Sequence, residues 1–352
     1  MVAVSEIIGA ARSKTQLPMT ELSANPGVLA VGDLLTLSGM VITDKFVAES
    51  DKFQLQLFKT NGVPQMTKAY LLVLVSYLLA LAAAWVTLQF VAEYHIMIQV
   101  LIADVVATII IFAFSVGYKN SSFYDAYWSV IPMVIVGYLM SLEGDPELIR
   151  QLMLALVILL WGVRLTANWA YTWSGLDHVD WRYVNLQAKA GILWWPLSFT
   201  GIHLMPTILV FLGCIPMYHA LMISTQPING FDYLALVVGL ISVWLEFQSD
   251  RELHRFREIR SSKTEVLSTG LWSLCRHPNY LGEIGVWVSV LLFGYAAVGY
   301  ADYWMLSGAV SMILLFTIVS IPMIEKKLTE DKPGYADYKA RSFSLLPLSK
   351  LR

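Results

Sequence analysis

Residues 69–91 read AYLLVLVSYLLALAAAWVTLQFV, with no charged side chain among them. An α-helix of that length crosses the roughly 30 Å hydrocarbon core of a bilayer. Working outward, further apolar runs occupy 96–117, 125–142, 149–172, 199–222, 231–247, 281–300 and 303–324. The chain therefore reads as an all-α membrane protein, a multi-pass helical bundle with about eight transmembrane helices. Composition agrees. Of 352 residues, 57% are hydrophobic and 14% charged, against about a quarter charged in a soluble domain. Mean hydropathy is +0.61. A net charge of -2 gives no electrostatic footprint for nucleic acid. Two cysteines, Cys214 and Cys275, exclude a disulfide framework and a Cys-rich metal site. No HExxH, GxGxxG or P-loop pattern occurs. The opening MVAVSEIIGAARSKTQ lacks a basic segment followed by an apolar run, so no cleaved signal peptide is expected.

Residues 1–67 are polar and read as a cytosolic N-terminal tail. Their apolar run Gly27 to Ile42, interrupted by Asp33, suits a helix on the membrane surface. Residues 68–352 form the membrane domain, in which the Trp-rich 184–198 reads as an interfacial helix entering the fifth span. Lysine and arginine alternate from one connection to the next. The tail carries Lys45, Lys52, Lys59 and Lys68; the sixth connection carries Arg251, Arg255, Arg257, Arg260, Lys263 and Arg276; the C-terminal segment carries Lys326, Lys327, Lys332 and Lys339. The intervening connections hold Arg150 beside Glu143, Asp145 and Glu147. This bias puts both termini in the cytosol, with the endoplasmic reticulum membrane the expected home in a eukaryote. The triplet Asn120-Ser121-Ser122 falls on the cytosolic side and is expected to stay unglycosylated.

Four polar clusters share that side: Ser121 to Ser129, Asp180-Trp181-Arg182-Tyr183, Glu246 to Arg260, and Gly270 to Glu283. Each has a bland explanation in lipid anchoring and aromatic belts; their convergence on one face favours a site. Glu246, Asp250, His254 and Arg257 lie at i, i+4, i+8 and i+11, on one helix face. Glu246 still sits within an apolar run, where an acid costs roughly 2.5–3.5 kcal/mol or more. Pro278 suits a first helical turn, so Arg276 and His277 precede a helix N-terminus, a ready anion site. Asn279, Glu283 and Trp287 then form one stripe. Arg164 and Asn168 share a face of the fourth span, and Asp104 is a natural interhelical partner for Arg164. His203 and His219 read as interhelical hydrogen-bonders.

Gly270-Leu271-Trp272, the run Arg276-His277-Pro278-Asn279-Tyr280-Leu281-Gly282-Glu283, and Trp287 together resemble the signature of the steroid 5-alpha-reductase C-terminal domain family. The resemblance extends over roughly 120–347. It takes in Asp125-x-x-Trp128-Ser129, Arg164-Leu165, Asp180-Trp181-Arg182-Tyr183, Asp250, Pro322-x-x-Glu325, Tyr335-x-x-Tyr338 and Leu346-Pro347. The sequence is most similar to an uncharacterised branch of these 3-oxo-5-alpha-steroid 4-dehydrogenase-like membrane proteins.

The resemblance implies an intramembrane cavity open to the cytosol, NADPH as cofactor, and reduction of a carbon–carbon double bond in a lipid or steroid-like substrate. It implies cofactor contacts from Asp250, Arg257 and Asn279, with Glu283 closing the stretch. Glu246 replaces an Asn of the steroid reductases, Arg276 and His277 replace small residues, and Trp161 stands where a Tyr polarises the steroid ketone. The expected cofactor-binding set is Glu246, Asp250, His254, Arg257, Arg276, His277, Asn279 and Tyr280. Glu283, Tyr124 and Arg164 are the candidate catalytic groups, and the arginines after Asp250 suit cofactor phosphates. No metal ligand set is expected. Isoprenylcysteine and phospholipid methyltransferases carry a similar Arg-His-Pro-x-Tyr stretch, so an S-adenosylmethionine-dependent membrane methyltransferase is the alternative. A non-enzymatic lipid-binding membrane protein is a third reading. Protease treatment of sealed vesicles carrying tagged protein is expected to remove both terminal tags from the cytosolic side. A protected C-terminus would scatter the four clusters between the two faces.

Overall fold

The computed structural model describes residues 39–142 and 147–346, with the side chains of 39–64 left undescribed. Most of the Gly27–Ile42 run, the acids Glu143 and Asp145, and Pro347 therefore lie outside the described residues. The chain divides at Lys68/Ala69 into two units, Met1–Lys68 and Ala69–Arg352. What is described of the first unit is helical from Gly39, the start of α1 (Gly39–Phe90). The membrane-spanning window of that helix is Gln65–Phe90.

The second unit is an all-helical bundle. Its elements are α2 (Ile96–Gly117), α3 (Tyr127–Ser141), α4 (Leu148–Thr172), α5 (Trp181–Ala190), α6 (Met205–Tyr218), α7 (Gly230–Ile259), α8 (Pro278–Val298), α9 (Tyr303–Leu314), α10 (Ile321–Asp331) and α11 (Tyr335–Arg341). Among the described residues, eight helices are long and apolar enough to cross a membrane. The fifth crossing is one helical stretch, Trp181–Ile223. The interfacial segment expected over 184–198 is its first part: α5 breaks at Gly191, whose φ of 52° suits glycine, before the chain turns into α6. Three π turns, Phe199–Leu204, His219–Ile223 and Leu315–Ser320, each lie close to a proline, Pro206, Pro216 or Pro322. At Pro206 and Pro322, which follow their π turns, the proline has no N–H to return to the preceding turn, and a wider turn accommodates that loss.

Two polar anchors are buried in the bundle, Arg150 away from the four clusters and Asn120 at the start of the first. Arg150 of α4, 0% exposed, donates from Nε to Asp232 Oδ1 of α7 at 2.6 Å. It also donates to the carbonyls of Gln226 and Ala296. It thus ties α4, α7 and α8 together, a role hidden behind its place among acids in the sequence. Asn120 is 1% exposed; it caps Ser122 N at 2.9 Å and donates to Leu176 O at 2.7 Å. Its amide is therefore committed inside the fold and closed to glycosylation.

The close approach of α7 and α8 positions the site. A Cβ on Gly282 would lie 2.5 Å from Glu246 Cγ and 2.7 Å from Ser242 O, whereas one on Gly137 of α3 would meet nothing within 4 Å. Gly282→Ala is therefore expected to push α8 off α7 and cost about 1–3 kcal/mol. Gly137→Ala is expected to be neutral or to gain up to about 1 kcal/mol of helix propensity. Thermal unfolding of the two variants checks the contrast; equal melting temperatures would contradict the tight α7–α8 contact.

Candidate functional site

Helix packing brings two carboxylates of α7 against Arg164 of α4 and a third, from α8, against two indoles. On α8, Glu283 follows Asn279 by one turn and precedes Trp287 by another. Its Oε2 accepts from Trp161 Nε1 at 2.9 Å and its Oε1 from Trp287 Nε1 at 3.1 Å. Two indoles from different helices thus grip one carboxylate, and the rings meet edge-on at 5.4 Å. On α7, Glu246 and Asp250 both face Arg164 of α4. Arg164 Nη1 donates to Asp250 Oδ2 at 2.8 Å, and Nη2 donates to Glu246. Asn168, one turn on from Arg164, adds Nδ2 to Asp250 Oδ2 at 3.0 Å. His254 Nε2 donates to Asn168 Oδ1 at 2.8 Å.

These groups line a cavity of about 540 Å³, within the usual range of small-molecule sites. All four sequence clusters reach it. The first contributes Ser122, Tyr124, Asp125 and Trp128, and the second Asp180, Arg182 and Tyr183. The third contributes Glu246 and Asp250, and the fourth Asn279, Tyr280 and Glu283. Tyr183 Oη donates to Asp125 Oδ1 at 2.5 Å, joining the first two clusters. Burial works against ionisation of Asp180, yet the hydrogen bonds and charge of Arg182 hold its carboxyl below the usual carboxylate range. Tyr124 Oη shares a 2.7 Å hydrogen bond with Thr207 Oγ1.

Five lining residues carry a buried polar atom without a hydrogen-bond partner: Arg164 Nε, Trp169 Nε1, Trp173 Nε1, Glu246 Oε1 and Asn279 Oδ1. Each such group costs about 1–3 kcal/mol of desolvation. Their gathering around one cavity makes it the candidate site. Among the described residues, no group of three or more His, Cys, Asp or Glu is placed to hold a metal ion.

Of the expected site residues, Glu283, Tyr124, Arg164, Glu246, Asp250, Asn279 and Tyr280 line the cavity. His254 lies behind its wall, bonded to Asn168. Arg257 is exposed on the last turn of α7, where its charge interacts with that of Asp250. Arg276 and His277 do not line it. The anion at their helix N-terminus is the chain's own Glu325: Arg276 Nε donates to Glu325 Oε1 at 2.7 Å, and His277 Nε2 lies 3.1 Å from the same oxygen. Burial holds the His277 imidazole below its ordinary value, although Glu325 favours the charged form. Lys339 Nζ completes the cluster, 2.7 Å from Glu325 Oε2. The backbone amides of Arg276 and His277 hold the carbonyls of Phe343 and Ser344. Arg276-His277 therefore latches the C-terminal segment. Asp104 is not the partner of Arg164: it accepts from Tyr127 Oη at 2.8 Å, while α7 supplies both carboxylates to the arginine.

Trp169, Trp173 and Thr172 were not singled out from the sequence, because tryptophans near a helix end read as an interfacial belt. Extending the Arg164–Asn168 face by one turn leads to Thr172, and the adjoining Leu165 row leads to Trp169 and Trp173. Phe316 and Ser320, from the π turn before Pro322, close another wall.

A family model described as a protein of unknown function, DUF1295, matches residues 111–342, and the chain belongs to that family. The matched stretch includes every lining residue of the cavity. An uncharacterized protein of the fission yeast Schizosaccharomyces pombe is 27% identical over 262 residues, covering 68% of this chain and 76% of its own length. No solved structure matches.

Glu283→Ala is expected to strand the two buried indole N–H groups at about 1–3 kcal/mol each. Glu283→Gln keeps one acceptor oxygen and is expected to be milder. Melting curves of the two variants test this; an alanine variant as stable as wild type would show that the indoles do not depend on Glu283.

Proposed function

We propose that this DUF1295 member is a membrane-embedded, NADPH-dependent reductase of a carbon–carbon double bond in a lipid or steroid-like substrate. The observation that carries the reading is Asn279 Oδ1, buried and unpartnered beside the Arg164–Glu246–Asp250 group. An amide oxygen in that state accepts from a ligand N–H, as the nicotinamide carboxamide provides. A second observation supports it at the end of α7. Lys332 is held below its ordinary pKa, first by burial and then by the neighbouring charges of Arg260 and Arg257. Three mutually repelling cations are suited to phosphate. The stretch from Asn279 to Glu283 also resembles the steroid 5-alpha-reductase C-terminal domain.

The residues present therefore fit the cofactor. Asn279, Tyr280 and Asp250 would hold its nicotinamide half, and Arg257, Arg260 and Lys332 its phosphates. Bound there, it supplies the hydride. Hydride addition to a conjugated alkene would place negative charge on the substrate carbonyl oxygen, and a proton drawn from solvent at the cavity mouth would follow to the neighbouring carbon. Tyr124 Oη, whose proton rests on Thr207 Oγ1 because Thr207 itself donates to His203 O, would turn that proton to the oxygen, and Arg164 would add its unpartnered Nε. Glu283, clamped by two indoles, keeps the floor of the cavity fixed. The aromatic walls of Trp128, Trp169 and Trp173 keep water out. On this reading the cavity mouth and both termini face the cytosol.

The acidity of the cavity favours one further reading. Asp125, Asp180, Glu246, Asp250 and Glu283 line it against Arg164 and Arg182, an excess that suits a cationic sulfonium and hence S-adenosylmethionine. Thermal shifts of the purified full chain separate the two. NADPH at a hundredfold its Kd is expected to stabilise the protein by about 2.7 kcal/mol. Asn279→Ala is expected to weaken NADPH roughly tenfold or more, the loss of one hydrogen bond of about 1.5 kcal/mol. Stabilisation by S-adenosylmethionine with none by NADPH would replace the reductase with a methyltransferase. No shift with either would leave a lipid-binding protein.

A further inference from the structure

A second pocket lies elsewhere in the bundle. It has a volume of about 510 Å³ and sits between α1, α2 and α3. Its walls are apolar: Leu81, Trp85 and Leu88 from α1, Val100 and Ala103 from α2, Ile131 and Ile135 from α3. One acid interrupts them. Asp104 is 3% exposed and lines the pocket. Its Oδ1 accepts from Tyr127 Oη at 2.8 Å, and its Oδ2 is buried with no hydrogen-bond partner. Ser141, also in the pocket wall, spends its hydroxyl proton on Tyr138 O at 2.7 Å.

Three facts select the occupant. The walls demand an apolar body. The unpartnered carboxylate oxygen demands a hydrogen-bond donor on that body. Asp104 is the ninth residue of α2, so about 12 Å of helix separates it from the nearer end. A phospholipid head or an ammonium group would lose its hydration at that depth. A single neutral hydroxyl loses far less. We propose that this pocket is a binding site for a lipid alcohol, an apolar molecule whose one hydroxyl donates to Asp104 Oδ2. Tyr127 fixes the carboxyl from the other side, and the Tyr127 ring meets that of Tyr124 at 5.4 Å. One layer of aromatic side chains therefore separates this site from the large cavity, which the proposal does not involve.

The test photolabels the full chain in phosphatidylcholine nanodiscs with a diazirine-bearing sterol alcohol and with its O-methyl ether, which lacks the donor. The alcohol is expected to label peptides of α1, α2 and α3 and to be displaced by unlabelled sterol alcohol. The ether is expected to bind about tenfold more weakly, the worth of one hydrogen bond. Asp104→Leu is expected to lose about as much, while Asp104→Asn, which keeps a carbonyl oxygen, stays within about threefold of wild type. Equal labelling by alcohol and ether overturns the proposal, as does label mapped to other helices. Tighter binding of a matched long-chain amine overturns the assigned chemistry. Should Asp104→Leu fail to fold, the alcohol-to-ether ratio on the unaltered protein still decides. The assay requires neither nucleotide nor turnover, so its failure leaves the reductase reading untouched and the converse also holds.

Discussion

Arg164 has to be paired. It projects from the middle of a membrane-spanning helix, and its guanidinium cannot shed its proton. Left alone it would carry one of the largest penalties a bilayer imposes. Glu246 and Asp250 of α7 meet it from one side, and Asn168 reinforces Asp250. This contact pins α4 to α7. Gly282 then lets α8 settle against Glu246, which brings Glu283 to the two indoles. The cavity follows from that sequence of obligations, because the aromatic rows of α4 and the start of α3 are carried along with the ionic centre.

The centre is left incomplete. Arg164 Nε and Glu246 Oε1 remain unpartnered inside it, as does the Asn279 amide oxygen nearby. A bundle selected for stability alone would replace such a group with packed apolar residues at little cost or with a gain. The opposite end of the bundle shows the contrast. There Arg150 is fully enclosed and bonded to Asp232 and several carbonyls. One arginine is fully satisfied and structural; the other lines a cavity and keeps one donor without a partner. That difference is why the proposal rests on Arg164 and not on Arg150.

Much of this was legible in the sequence. Hydropathy outlined the spans, and helical spacing put Glu246 with Asp250 and Asn279 with Glu283 on shared stripes. The partner of Arg164 was not legible. Asp104 and Glu246 are both acids at membrane depth, and local spacing does not reveal which helices touch. The motif Arg276-His277-Pro278 likewise suggested an anion-binding helix start. The anion turned out to be Glu325, supplied by the same chain 49 residues later. Trp169 and Trp173 were hidden by their type, since a tryptophan near a helix end serves a belt and a cavity wall equally well.

The most direct measurement of the central claim is the stability of three forms of the protein: wild type, Arg164→Met, and Arg164→Met combined with Glu246→Gln and Asp250→Asn. Removing the arginine alone strands two buried carboxylates and should cost about 3–5 kcal/mol. Neutralising both acids as well should return most of that stability while leaving the cavity without its Arg164–Glu246–Asp250 centre. An Arg164→Met variant that melts with the wild type, or a triple variant no more stable than the single one, would contradict the account.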